Sequence, residues 1–265
     1  MTVKAGPASA APADDLWGER ARDWAQFQEP QYLPLYDAVF DAAGVGAGVR
    51  LVDAGCGCGL ALDRAADRGA DVAGFDASPA LLALAAERLP GAELRTGTVE
   101  KPPFEAGGFD VVTMFNVAHH PPRVVELVSH LVPLGRPGAL VAVSTFGPPE
   151  LCDVRQILVG LGPWMNRSGC DDPRPPGPPG TVDGLLREGG FAVVDADDLS
   201  CPFRYADPET ALRGVLAAAP FVSASRRLGE AFVRQTVAAR LEAYRRADGT
   251  FRLDNVFRWV LARAR

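Results

Sequence analysis

Leu51-Val52-Asp53-Ala54-Gly55-Cys56-Gly57-Cys58-Gly59 decides how this chain is read. A short apolar run closes on an acid, and glycine then falls on every second position. A second run, Asp71-Val72-Ala73-Gly74-Phe75-Asp76, also closes on an acid. Together they predict a strand, a tight turn, a helix and a second strand. Side chains at Gly55, Gly57 and Gly59 would keep the main chain from close approach to a ligand. The helix after Gly59 offers free N–H groups and a partial positive end, which favours a ligand carboxylate there. Asp76 follows the turn by about 20 residues, a spacing that lets a carboxylate accept both hydroxyls of a ribose. The plainer reading of Asp76 is an exposed helix cap. Asp53 either holds the loop amides or meets a ligand ammonium group, and both roles stay open.

Working outward, Ser78 and Pro79 read as the cap and first turn of the next helix, with Leu81, Leu82, Ala85 and Leu89 facing inward. Strands are predicted at 92–96, 109–116 and 138–146, with a helix at 122–132 between the last two. The continuous apolar run at 109–116 belongs in the middle of a sheet, buried on both faces. This alternation argues for an α/β fold with a parallel sheet and helices on both sides. Ahead of it, 16–43 reads as two aromatic-rich helices, and 1–15 as a disordered tail of Ala and Pro. Beyond it, 147–180 reads as a cover loop because its Pro/Gly run can be neither helix nor strand. A helix over 181–189, a strand over 191–199, two helices over 208–246 and a closing strand over 251–264 complete the expectation. All of 16–265 reads as one domain, with 203–247 a helical insertion.

The chain has 265 residues, is 48% hydrophobic and carries a net charge of −6. It can bury a large core, and the charge gives no support to nucleic-acid binding. Residues 204–265 nonetheless hold twelve arginines against six acids. Solvated helix faces are the plain account, and a docking surface for an acidic partner is the sharper one. Five cysteines and no leader-like apolar segment predict a cytoplasmic protein with reduced thiols. No apolar run reaches the roughly 18–20 residues of a membrane span. Cys56 and Cys58 form C-x-C, but no second ligand cluster accompanies them, so no metal is expected.

The nicotinamide fingerprint is G-x-G-x-x-G, whereas here the third glycine comes one residue early, at Gly59, and Leu60 follows. The pattern preceded by Asp53 instead resembles that of the class I S-adenosylmethionine-dependent methyltransferases. Four stretches carry the resemblance in order: 52–59, 74–78, 95–104 and the strand starts at 109–112 and 137–140. It is similar above all to the branch of ubiquinone- and menaquinone-biosynthesis-like small-molecule enzymes, over roughly residues 45–146. The resemblance implies a doubly wound, Rossmann-like seven-stranded sheet of order 3-2-1-4-5-7-6 with an antiparallel last strand. It implies S-adenosyl-L-methionine (SAM) as cofactor, held by Asp53, Gly55, Cys56, Gly57, Gly59, Asp76, Ala77, Ser78, Thr98, Val99, Glu100 and the neighbourhood of Asn116. Many relatives have an acid at the position of Thr98. A hydroxyl there shifts the expected adenine contact to the Val99 backbone and the Glu100 side chain. A satisfied strand-end residue is the plain reading of Asn116.

Methyl transfer from a sulfonium needs an aligned nucleophile about 3–3.5 Å away and a dry site. Only three histidines exist. His119 and His120 fall just past the fourth strand, at the edge where open α/β sheets bind ligands. They are the candidate catalytic residues, as bases or as orienters of the acceptor; the plain alternative is that they shape the turn before Pro121. His130 reads as a surface residue. Trp17, Trp24, Tyr32, Phe146, Trp164 and Phe203 are candidates to line an apolar acceptor cavity, though singly each reads as packing. The expectation is methyl transfer to a hydrophobic small molecule, first at oxygen, with a homodimer left open. A non-methylating cyclase or isomerase in the same pocket, a nicotinamide oxidoreductase and an interaction protein are the rivals.

Overall fold

The computed structural model describes residues 15–117, 121–162 and 181–264. Its strands are β1 Arg50–Ala54, β2 Asp71–Asp76, β3 Glu93–Thr96, β4 Phe109–Phe115, β5 Gly135–Phe146, β6 Phe191–Ser200, β7 Phe203–Tyr205, β8 Phe251–Leu253 and β9 Val256–Ala264. Seven of them form one sheet in the order β3-β2-β1-β4-β5-β9-β6. The first five pair in parallel, and β9 runs antiparallel between β5 and β6. This is the Rossmann-like order expected from the sequence. The helices are α1 Leu33–Ala43, α2 Leu60–Asp67, α3 Pro79–Arg88, α4 Pro121–Leu131, α5 Asp153–Val159, α6 Thr181–Glu188, α7 Pro208–Leu216, α8 Ala219–Leu228 and α9 Glu230–Leu241.

Strand periodicity divides the core in two. Leu51, Val111 and Phe115 pack with α1, α2 and the C-terminal helices. Their neighbours Val52, Val112 and Met114 face Leu127, Val128, Leu131 and Leu186 of α4 and α6. Both faces of the central strands are therefore covered, so their runs carry no polar alternation. No helix among the described residues is long and apolar enough to cross a membrane.

Four segments depart from the sequence reading. Residues 16–43 hold an irregular first helical segment, a 3-10 turn at Gly18–Arg20, an α-helical turn at Ala21–Asp23 and a π turn at Trp24–Gln28, followed by a 3-10 turn at Glu29–Tyr32 and the regular helix α1. Pro30 has no N–H to continue a helix, while Pro34 is tolerated in the first turn of α1. The region predicted as the loop 147–180 contains a 3-10 turn at Pro149–Leu151 and then α5; 163–180 lie outside the described residues. Residues 208–246 make three helices where two are expected, because Gly229 adopts a φ of 90° between α8 and α9. The closing strand splits into β8 and β9, and β8 pairs with β7 in a separate two-stranded sheet. The break is tertiary: Asn255 accepts the Val154 N–H at 3.2 Å, and the Asp254 N–H donates to Asp153 at 2.6 Å.

Candidate functional site

Between β1 and α2 the chain turns through Gly55, Gly57 and Gly59, with φ values of 76°, 55° and 79°. Such angles strain any residue with a Cβ. The Gly55 and Cys56 N–H groups both donate to the Phe75 carbonyl, at 2.8 and 3.0 Å. Asp76, ending β2, completes the link. One carboxylate oxygen accepts the Gly57 N–H at 2.9 Å, and the other accepts the Ser78 N–H at 2.8 Å. Burial raises its carboxyl above the ordinary range, opposed by those two amides. Ser78 caps α3 by accepting the Leu81 N–H, and its hydroxyl donates to Asp15 at 2.6 Å. Ala77 between them is exposed.

Two amides at the start of α2, where the sequence reading expects a ligand carboxylate, are already taken by a side chain of this chain. Glu29 reaches over from the N-terminal segment and accepts the Cys58 N–H at 3.1 Å and the Leu60 N–H at 3.4 Å. Its second oxygen pairs with Arg88 at 2.8 Å, and Arg88 also donates to the Cys58 carbonyl. Glu29 is 3% exposed. Burial raises its carboxyl, and Arg88 and the amides pull it down. The helix end attracts an anion, and this chain supplies its own. Sequence reasoning missed Glu29 because it lies 29 positions before Cys58 and no local pattern marks it.

Asp53 is buried at the end of β1 and accepts the Thr113 hydroxyl at 2.6 Å. Burial pushes its carboxyl up to about 7; Thr113 opposes this, and the negative charges of Asp76 and Glu29 add to it. Burial raises the Cys56 thiol, and the same three acids add to the rise. Three carboxylates around one turn, two of them without a cationic partner among the described residues, favour a ligand that brings positive charge.

Asn116 follows β4 with a φ of 55°, the single non-glycine positive value among the described residues. Its N–H donates to the Ser144 carbonyl at 3.2 Å, and its side-chain oxygen accepts the Ser144 hydroxyl at 3.2 Å. Strained backbone of this kind clusters at functional sites. The next residue, Val117, borders the turn, since a Cβ on Gly55 would stand 2.5 Å from Val117 Cγ2.

The remaining sites are more scattered. Val99 is buried in the core, Thr98 is exposed, and the Glu100 carboxylate pairs with Arg123 on the surface. His119, His120 and Trp164 lie outside the described residues; His130 is exposed on α4. Of the aromatic candidates, Tyr32 and Phe203 pack edge to face in the core at 5.2 Å. Trp17 and Trp24 meet edge to face at 4.9 Å and stay half-buried beside the turn, as Phe146 does at the end of β5. A Cβ on Gly57 would stand 3.9 Å from Trp24 Nε1, so this tryptophan borders the space above the glycines.

Residues 52–143 match the family model of a methyltransferase domain. A ubiquinone biosynthesis O-methyltransferase of Acinetobacter baumannii (strain ACICU) is 34% identical over 138 residues, which cover 47% of this chain and 57% of that protein. The chain thus spans little more than half the length of this curated relative. Among solved structures, a geranyl diphosphate methyltransferase in complex with SAM is similar at a TM-score of 0.54 and 16% identity, over 97% of this chain and 93% of that one. The cyclase SpnF is similar at 0.55 and 18%, over 87% and 80%. These two likenesses are of fold.

Proposed function

We propose that this chain, whose residues 52–143 match the family model of a methyltransferase domain, is a class I S-adenosylmethionine-dependent methyltransferase that transfers a methyl group to a small hydrophobic acceptor, at oxygen. The observation that carries the reading is the Asp76 carboxylate, stitched to the Gly57 and Ser78 amides beside buried Asp53. Each Asp76 oxygen keeps acceptor capacity beyond its one amide bond, enough for the two hydroxyls of a ribose. Bound there, S-adenosylmethionine supplies a methyl already activated on a sulfonium. The chain's own part is to bind, align and keep out water. Asp53 and Asp76 favour a cationic donor over the uncharged thioether left after transfer, which helps product leave. The half-buried aromatic edge of Trp17, Trp24 and Phe146 suits an apolar acceptor. Oxygen as the target atom rests on the relative's name. The free, buried Cys56, Cys58, Cys152 and Cys201 fit a reducing cytoplasm and a role in small-molecule biosynthesis there.

Incubating the full chain with methyl-labelled donor and a panel of phenolic and quinol acceptors tests the reading. Labelled product and S-adenosylhomocysteine are expected in equal amounts. Donor uptake without transfer to any acceptor would favour a non-methylating catalyst. His119 and His120 are proposed to take the acceptor's proton or to orient it. His119→Ala and His120→Ala should each lower kcat about 10²–10⁴-fold if they serve as the base, and unchanged turnover in both would remove that role.

Asp53 makes the binding step proton-linked. Its carboxyl titrates near 7 in the free protein, and a cation placed beside it favours the ionised form. Donor affinity should therefore rise as pH increases through about 5 to 7 and level off above. Calorimetry in buffers of different ionisation enthalpy should record proton release at about pH 6. Asp53→Asn is expected to flatten the profile near 7, and an unaltered profile would exclude Asp53 as its source.

A further inference from the structure

The β7–β8 ribbon carries a feature that methyl transfer does not use. Its inner face is apolar, with Phe203, Tyr205, Phe251 and Leu253 buried. On the outer face the register sets Arg204 directly opposite Arg252. Like charges so placed destabilise a strand pair. A third arginine joins them where the ribbon continues, since the Arg246 N–H donates to the Thr250 carbonyl at 2.8 Å. All three line one open depression of about 930 Å³, together with Ala206, Ala247, Thr250 and one acid, Asp248, a volume of small-molecule scale.

The local acids offset part of this charge, with Asp153 and Asp248 also acting on Arg246, and leave Arg204 unpaired among the described residues. Asp254 pairs with Arg252 at 2.7 Å and lies 4.0 Å from Arg246. Asp248 is turned onto Thr250, accepting its N–H and hydroxyl at 3.0 and 2.6 Å. Arg204 has no acidic partner among the described residues. Its backbone, in contrast, is fixed on both sides by Gln31, which accepts the Arg204 N–H at 2.7 Å and donates to its carbonyl at 3.0 Å. Arg204, on an anchored strand, thus shares one concave surface with two other arginines. Its planar fork matches the oxygens of an oxyanion. Three arginines lining one depression offer more donors than the two oxygens of one carboxylate can satisfy, even with Arg252 also held by Asp254, whereas a phosphate group presents three.

We propose that this depression binds a phosphate-bearing small molecule through Arg204, Arg252 and Arg246. β8 leads directly into β9, whose first residues pair with the end of β5 at Phe146. The depression therefore opens at the same end of the sheet as the glycine turn, although no residue of that turn lines it.

Titrating the full chain with inorganic pyrophosphate at constant ionic strength tests the assignment. Saturable binding is expected, weakened about tenfold or more in Arg204→Gln/Arg252→Gln. That variant relieves a like-charge pair, so it should fold and keep its donor affinity. Arg22→Gln/Arg187→Gln removes the same charge from elsewhere and should bind pyrophosphate as the parent does. Absence of saturable binding, equal losses in the two double variants, or no loss in the first would overturn the proposal. Binding of poly-glutamate in preference to pyrophosphate would also overturn it, and would point to an acidic protein partner.

Discussion

Asp76→Ala is expected to weaken uptake of S-adenosylmethionine by about a hundredfold or more. The carboxylate is assigned two charged hydrogen bonds to the ribose, each worth about 1.5–3 kcal/mol; losing about 3 kcal/mol corresponds to roughly a hundredfold. The substitution also frees the Gly57 and Ser78 amides, which Asp76 now holds at 2.9 and 2.8 Å. The two cofactor loops would then lose their common anchor. Asp76→Asn should do little better, because each of its oxygens faces an N–H and the amide nitrogen must oppose one of them. Calorimetry with the donor and with S-adenosylhomocysteine reads the effect directly. Affinity within about threefold of the parent would remove the ribose assignment.

Glu29→Ala should cause the largest loss of stability. It leaves Arg88 without its carboxylate and two helix-end amides without their acceptor. Breaking a buried ion pair from one side costs about 3–5 kcal/mol. For a chain of this size about 3 kcal/mol corresponds to a fall in Tm of roughly 6–12 °C. Glu29→Gln keeps one oxygen for the Cys58 amide and should fall less. Adding Arg88→Met to Glu29→Ala should recover part of the loss, since the stranded charge is then gone. Thermal unfolding of the four proteins checks this. A Glu29→Ala protein melting within about 2 °C of the parent would show that the pair holds nothing together.

Much of the architecture was legible. The βα alternation and the parallel sheet followed from the apolar runs, the strand order from the family resemblance, and Ser78 and Pro79 announced the start of α3 by local chemistry. Asp76 and the glycines stood out because their spacing is short and their backbone demands are local. Where the reading failed, the deciding contact was remote. Asn255 and Asp153 cut the last strand in two through contacts about a hundred residues apart in sequence. Gly229 parts two helices that periodicity alone would fuse into one.

Local pattern by itself determined the βα succession, the tight turn after β1 and the acid that closes β2, because each depends on residues within a few positions of one another. Tertiary structure alone decided that Glu29 seals the start of α2, that burial raises Asp53 to about 7 and that Arg204 confronts Arg252. Burial and register are properties of the packed chain, set by segments far apart in sequence, and no single stretch contains them.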